Sequence, residues 1–283
     1  MLYKNILKLI GNTPIVAFQD IFIKLELFNL AGSIKDRVAL KMIEALVQEK
    51  KLNKNSTVIE VTSGNTGIAI AMVCAIKRYK CIIIMPNDVT KDKINIIKAY
   101  GAKVILTPKK LGFEYAIKYA KKLALKKDFV FLNQFSNPNN PLAHVETALE
   151  IIKDMPKLDY LVCGIGSGGT ISMLSKTLKE HYPGLCVVGV LPLEEHHQIC
   201  GIGASITPEV LDLENIDKIE KVSTKCAFES FNILASNGLL LGLSSAACYN
   251  VSKRIKQANP DKIVLMISAD SGMKYLNAFD ELV

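Results

Sequence analysis

The stretch Thr57-Val58-Ile59-Glu60-Val61-Thr62-Ser63-Gly64-Asn65-Thr66-Gly67 decides the fold. Its first half, Thr57 to Val61, is short and rich in β-branched residues, the composition of a strand buried in a sheet. Thr62 to Gly67 then supplies hydroxyls, an amide and two glycines, and from Thr66 to Lys77 apolar residues continue in a helical pattern. A strand that feeds a helix through such a turn leaves unpaired backbone N–H groups where the helix begins, and these suit a carboxylate or a phosphate.

Outward from this unit the same alternation recurs. Strand-type runs occur at Ile15 to Leu27, Cys81 to Met85, Lys103 to Thr107, Phe129 to Leu132, Tyr160 to Cys163, Cys186 to Val190 and Lys262 to Ile267. Helical patterns separate most of them, at Asp92 to Tyr100, Phe113 to Leu125, Pro141 to Lys153, Thr170 to His181 and Ser245 to Gln257. Strand, helix, strand in series specifies an α/β protein with mostly parallel sheet covered by helices, and so many strands divide between two lobes. Ligands of such folds bind beyond the carboxyl ends of the strands. Pro192 to Lys221, rich in Gly, Glu, Asp and Ile, reads as surface excursions.

Composition narrows the class. With 283 residues, 49% of them hydrophobic, the chain can bury a large core, and no apolar run is long enough to span a bilayer. The opening residues lack the sustained apolar core of a signal peptide, so a cytoplasmic location is expected. Seven cysteines without a CxxC pair read as reduced thiols. No metal site is expected: His196 and His197 are adjacent and cannot converge on one ion, and His144 and His181 stand alone. The net charge of +8 gathers in part on Lys118, Lys121, Lys122, Lys126 and Lys127, the polar face of an amphipathic helix, so neither nucleic acid nor membrane is an expected partner.

Two further turns follow strands. Gly164-Ile165-Gly166-Ser167-Gly168-Gly169-Thr170 lets the backbone wrap an anion closely. It fits Gly-x-Gly-x-x-Gly, but no acidic residue ends a second strand about twenty positions on, so a single phosphate suits it better than a dinucleotide. Leu241-Gly242-Leu243-Ser244-Ser245 presents two hydroxyls before another helix. Elsewhere, Ser33 and Asp36 form a capping-box pattern ahead of Val38, Met42, Ile43 and Leu46, which places Lys35 in the first turn of a helix. A cation is disfavoured there; a partly desolvated amine so placed has a lowered pKa and attacks an aldehyde more readily.

Together, Ser33-Ile34-Lys35-Asp36-Arg37, Thr62 to Gly67, Gly166 to Thr170 and Gly242-Leu243-Ser244-Ser245, in that order, resemble the cysteine synthases (O-acetylserine sulfhydrylases), which are fold type II pyridoxal phosphate enzymes with a tryptophan synthase β-like architecture. Gly11-Asn12-Thr13-Pro14, Lys98 to Ala102, Gln134-Phe135, Gly201-Ile202-Gly203 and Asp270-Ser271-Gly272 extend the resemblance over nearly the whole chain, and Leu132 to Phe135 leans toward the B-type enzymes. The resemblance implies pyridoxal 5'-phosphate held as a Schiff base by Lys35, which also removes the substrate's α-proton. It implies Gly166, Ser167, Gly168, Gly169 and Thr170 at the cofactor phosphate, Asn65 at the ring hydroxyl and Ser244 at the pyridine nitrogen. Thr62, Ser63, Thr66 and Gln134 would take the substrate carboxylate. One catalytic unit over 1–283 is implied, with a smaller mobile lobe at about 36–143 and a larger one from 1–35 plus 144–283. A homodimer is implied as well, with serine acetyltransferase as a possible partner.

The activity so implied is β-replacement on O-acetyl-L-serine by sulfide, giving L-cysteine and acetate. Cystathionine β-synthesis, release of hydrogen sulfide from cysteine, and a non-catalytic binding protein on the same fold are the alternatives. Departures from the family pattern are Ala246 for a glycine, Leu149-Glu150 for Gly-Pro, Lys93-Ile94 for paired arginines, and a short segment between Pro14 and Lys24. None removes a residue with an assigned role.

Overall fold

A computed structural model describes residues 2–203 and 206–278, with nothing said of the side chains of 276–278. Along the chain run β1 (Ile15–Phe18), β2 (Ile21–Leu25), α1 (Lys35–Gln48), β3 (Thr57–Val61), α2 (Asn65–Lys77), β4 (Lys80–Pro86), α3 (Lys91–Ala99), β5 (Lys103–Thr107), α4 (Gly112–Leu123) and β6 (Phe129–Phe131). There follow α5 (Asn139–Leu142), α6 (Val145–Asp154), β7 (Tyr160–Gly164), α7 (Gly169–His181), β8 (Cys186–Pro192), β9 (Lys218–Val222), α8 (Thr224–Ser236), α9 (Leu243–Ala258) and β10 (Val264–Ser268). They fall into two compact units, Met1–Ile10 with Lys35–Ala143, and Gly11–Ile34 with His144–Val283. Residues 1–10 and Lys35 thus group with the smaller unit, whereas the sequence reading set them in the larger lobe.

The smaller unit is built on a four-stranded, fully parallel sheet in the order β5-β4-β3-β6. In β3, Ile59 and Val61 pack on Ala116 and Ala120 of α4, so Val58 and Glu60 point to the opposite face by the period of two. Every residue of β3 is buried, which is why its sequence runs apolar without alternation apart from Glu60. Helix α2 is buried along nearly its whole length and ends on Arg78 in the left-handed conformation, φ 61°.

The larger unit carries six strands in the order β1-β2-β10-β7-β8-β9, parallel except for the β1–β2 hairpin. Successive residues of β10 divide between its faces: Val264 and Met266 join the core formed with α8 and α9, while Leu265 and Ile267 join the one with α6 and α7. Glu150, in the place of the family's proline, forms an ion pair at 2.7 Å with the fully buried Lys24, whose ammonium also donates to the Thr13 carbonyl. A buried ammonium needs such partners.

Three expectations need correction. Pro192 to Lys221 is not wholly an excursion, because Lys218–Val222 adds β9 to the sheet edge; Ala204 and Ser205 of that stretch lie outside the described residues. Pro141 to Lys153 is two helices, with a turn at Ala143-His144. Helix α1 starts at Lys35, one residue later than the Ser33–Asp36 pattern sets it, and Ser33 forms a β-bridge with Asp270. Among the described residues no helix is long and apolar enough to cross a membrane.

Candidate active site

In the smaller unit, Lys35 is the first residue of α1 and is half-buried. The carboxyl end of β3 opens into the Thr62 to Gly67 turn, where the Thr62 hydroxyl accepts a hydrogen bond from the Gly64 N–H at 3.1 Å. Thr66 and Gln134 come together although far apart in sequence: the Thr66 hydroxyl donates to Gln134 Oε1 at 2.8 Å, and Gln134 Nε2 donates to the Val61 carbonyl at 3.2 Å. Thr62, Thr66 and Gln134 are buried, Asn65 is half-buried as the first residue of α2, and Ser63 is exposed. The side chain of Lys93 runs past Gly64, 3.5 Å from where a Cβ would stand, so this departure from the family's arginine still borders the turn.

In the larger unit, β7 ends in the Gly164 to Gly169 turn and α7 begins. A methyl group on Gly166 would lie 2.2 Å from the Gly201 carbonyl oxygen, so only hydrogen fits. Gly168 has φ +85° and a Cβ there would meet Leu211 at 2.6 Å; the turn requires glycine twice over. Ser167 and Thr170 are buried at the helix start, and the Thr170 hydroxyl lies 3.1 Å from His144 Nε2. Ser244 is the second residue of α9, buried beside Ser245, whose hydroxyl accepts from the Ala269 N–H at 3.1 Å. A close backbone approach, successive N–H groups, two hydroxyls and the positive end of a helix form a donor set that fits a phosphate monoester. Lys35, half-buried at the start of α1 in the smaller unit, carries an amine of the kind that adds to an aldehyde.

Two polar residues near these turns were not assigned by sequence reasoning. His144 is fully buried against Thr170 and Thr147 rather than standing alone; only its nearness in space to the glycine turn marks it. Glu60 is fully buried, and desolvation pushes its carboxyl up to about 8 even though it accepts the N–H groups of Val61 and Gln134. A lone charged residue inside an apolar strand was the signal for it. The other histidines gather no ligand set; among the described residues no group of His, Cys, Asp or Glu is arranged to hold a metal.

Each unit is a mostly parallel sheet that opens at its carboxyl end into a polar, helix-starting turn, the build of an α/β protein that binds an anionic ligand. Residues 6–269 match the family model described as pyridoxal-phosphate dependent enzyme, and the chain belongs to that family. Its cofactor is pyridoxal 5'-phosphate. The chain is 38% identical to cysteine synthase B of Campylobacter jejuni, covering 97% of both chains. Its structure is similar to that of a hydrogen sulfide-producing enzyme from Fusobacterium nucleatum, with TM-score 0.93, 38% identity, and 97% of this chain and 100% of that one covered. An O-acetylserine dependent cystathionine β-synthase from Helicobacter pylori superposes with TM-score 0.92 at 35% identity, over 98% of each chain.

Proposed function

We propose that the protein forms L-cysteine and acetate from O-acetyl-L-serine and sulfide. The observation that carries this reading is the Thr66–Gln134 pair locked beside the Thr62 to Gly67 turn, an α-carboxylate receptor in a chain 38% identical to a cysteine synthase over its length. Bound pyridoxal phosphate supplies an aldehyde for the substrate's amine and a ring that accepts electrons from its α-carbon. The rest of the work falls to the chain. The Gly166 to Thr170 turn binds the phosphate, Asn65 orients the ring through its hydroxyl, and Ser244 meets the ring nitrogen. A neutral hydroxyl there cannot hold a proton on the nitrogen as a carboxylate would, and this favours loss of a β-leaving group over chemistry that needs a long-lived carbanion. Thr62, Ser63, Thr66 and Gln134 hold the carboxylate, and the Lys35 amine takes the α-proton.

The resemblance further supports a cytoplasmic homodimer, with serine acetyltransferase as a partner and a B-type breadth of sulfur donors. The neighbours titled for hydrogen sulfide production and for cystathionine synthesis favour one second reading, the same chemistry with another leaving group or another thiol. Purified protein is to be given O-acetyl-L-serine with sulfide, L-serine with homocysteine, or cysteine alone. Cysteine and acetate appearing fastest in the first mixture supports the proposal; faster turnover in either of the others replaces it with the second reading. Lys35→Ala should lose the visible absorbance of the bound cofactor together with turnover, and a variant that keeps both ends the assignment of Lys35.

A further inference from the structure

We infer that Glu60 is a positioning residue for substrate binding: its buried carboxyl holds the backbone of Gln134 and so sets the Thr66–Gln134 pair that receives the substrate carboxylate. The inference rests on the reading of Gln134 given above. Pairing of β3 with β6 ends at Ile59 opposite Phe131, and the last bond of that edge runs from the Leu132 N–H to the Ile59 carbonyl at 3.0 Å. Asn133 then turns the chain with φ 51°, out of strand conformation. Beyond it a backbone ladder cannot hold Gln134, and side chains take over. The Gln134 N–H donates to Glu60 Oε2 at 3.2 Å, its carbonyl accepts from Asn140 Nδ2 at 2.7 Å, and its amide is spanned between the Val61 carbonyl and the Thr66 hydroxyl. Glu60 is the one of these partners that carries a titratable group.

A fully buried carboxyl is an expensive way to satisfy an N–H group, since an amide carbonyl accepts one without burying an ionisable group. What a carboxyl adds is a second acceptor oxygen, which ties the Val61 N–H at 2.8 Å as well, so the strand end and the Gln134 turn share one fastening. The same group carries a consequence for pH. Burial keeps it uncharged at neutral pH, with ionisation near 8. The titratable groups facing it are the thiols of Cys81 on β4 and, hydrogen-bonded to that thiol, Cys74 on α2; α4 packs Ala116, Ala120, Ile117 and Tyr119 about the other face of the strand, and β6 is Phe129-Val130-Phe131. No cation among these offsets an ionised Glu60. Above its ionisation the turn that must accept a carboxylate has a negative charge behind it.

The test compares wild-type holoenzyme with E60A and E60Q. Gln has the shape of the neutral acid and keeps one carbonyl acceptor, while its NH2 gives up the other N–H bond, so E60Q reports an uncharged side chain at every pH with one fastening lost. Binding of L-serine is followed by the change in cofactor absorbance between pH 6.5 and 9, and amide exchange of residues 132–137 is followed by mass spectrometry. Expected for E60A are about a tenfold rise in the KM for O-acetyl-L-serine, kcat within about threefold, an unchanged KM for sulfide and faster exchange at 132–137. E60Q should bind L-serine within about threefold of wild type at pH 6.5 and about tenfold more tightly than wild type at pH 9. An E60A enzyme with the wild-type KM and wild-type exchange at 132–137, or one whose kcat alone falls, overturns the inference. So do parallel pH profiles for E60Q and wild type. Faster exchange at 132–137 in E60A with no change in KM would leave Glu60 as the fastening and instead overturn the assignment of Gln134 to substrate.

Discussion

At Glu60 the cost of a buried acid is measurable without substrate. Its folded ionisation, near 8, lies above the ordinary value of 4.5, so the native state retains a proton that the unfolded chain releases. Stability therefore falls as pH rises from about 4.5 to 8 and is unaffected by this group below that window. E60Q, neutral throughout but short of one acceptor, should lie about 1–3 kcal/mol below wild type in urea denaturation at pH 5 and gain on it by an amount of the order of a few kcal/mol by pH 8.5. A constant gap across that range would contradict the burial described. Gly166 offers a second test at the same scale, because a methyl group 2.2 Å from the Gly201 carbonyl forces the turn apart. Gly166→Ala should retain the circular dichroism of wild type while its cofactor content, read from visible absorbance, drops about tenfold or more. The residues proposed for the chemistry stand out in the sequence because most sit in runs of several unusual residues. Glu60 and His144 were not, because each is a single polar residue whose partners are distant in sequence.

Elements were legible where burial imposed a pattern. The strands of both parallel sheets announce themselves as apolar runs, and α7 and α9 start where glycine and serine cluster. β9 escaped notice because it is an edge strand: Lys218-Ile219-Glu220-Lys221 keeps its charges in water and so lacks the apolar signature. Helix α8 carried a readable signal in Ala227, Phe228, Phe231 and Leu234, all buried on one side. Its start is fixed by Ser223, whose side chain accepts from the Cys226 N–H at 3.2 Å. Ser223→Ala should lower stability by about 1 kcal/mol in urea unfolding, with little effect on turnover.

For the molecule as a whole, the boundaries of the two units show how far local reading reaches. The alternation of strands and helices foretells two sheets, but not that Met1–Ile10 joins the smaller unit, since that depends on packing alone. Within the larger unit the Asp159 carboxylate ties the start of β7 to the approach to β10. Partial burial works against its charge, yet the Ile263 N–H at 2.9 Å and the ammonium groups of Lys262 and Lys157 hold it below the ordinary carboxylate range. A lowered folded value means its contribution is present above the unfolded pKa and lost as pH falls through the folded one. Asp159→Asn should therefore cost stability at pH 7, by about 1 kcal/mol, and nothing near pH 2, as thermal melts at the two values will show. Finally, β2 finds one of its neighbours in β10, pairing Ile21 with Val264 and Leu25 with Ser268 across almost the full length of the chain. During translation the hairpin of residues 15–25 emerges long before this partner and waits, one edge bare, until residues 264–268 have been made. Assembly of this sheet consequently waits on β10, and messages broken shortly before residue 264 yield chains destined for degradation rather than weakened enzymes.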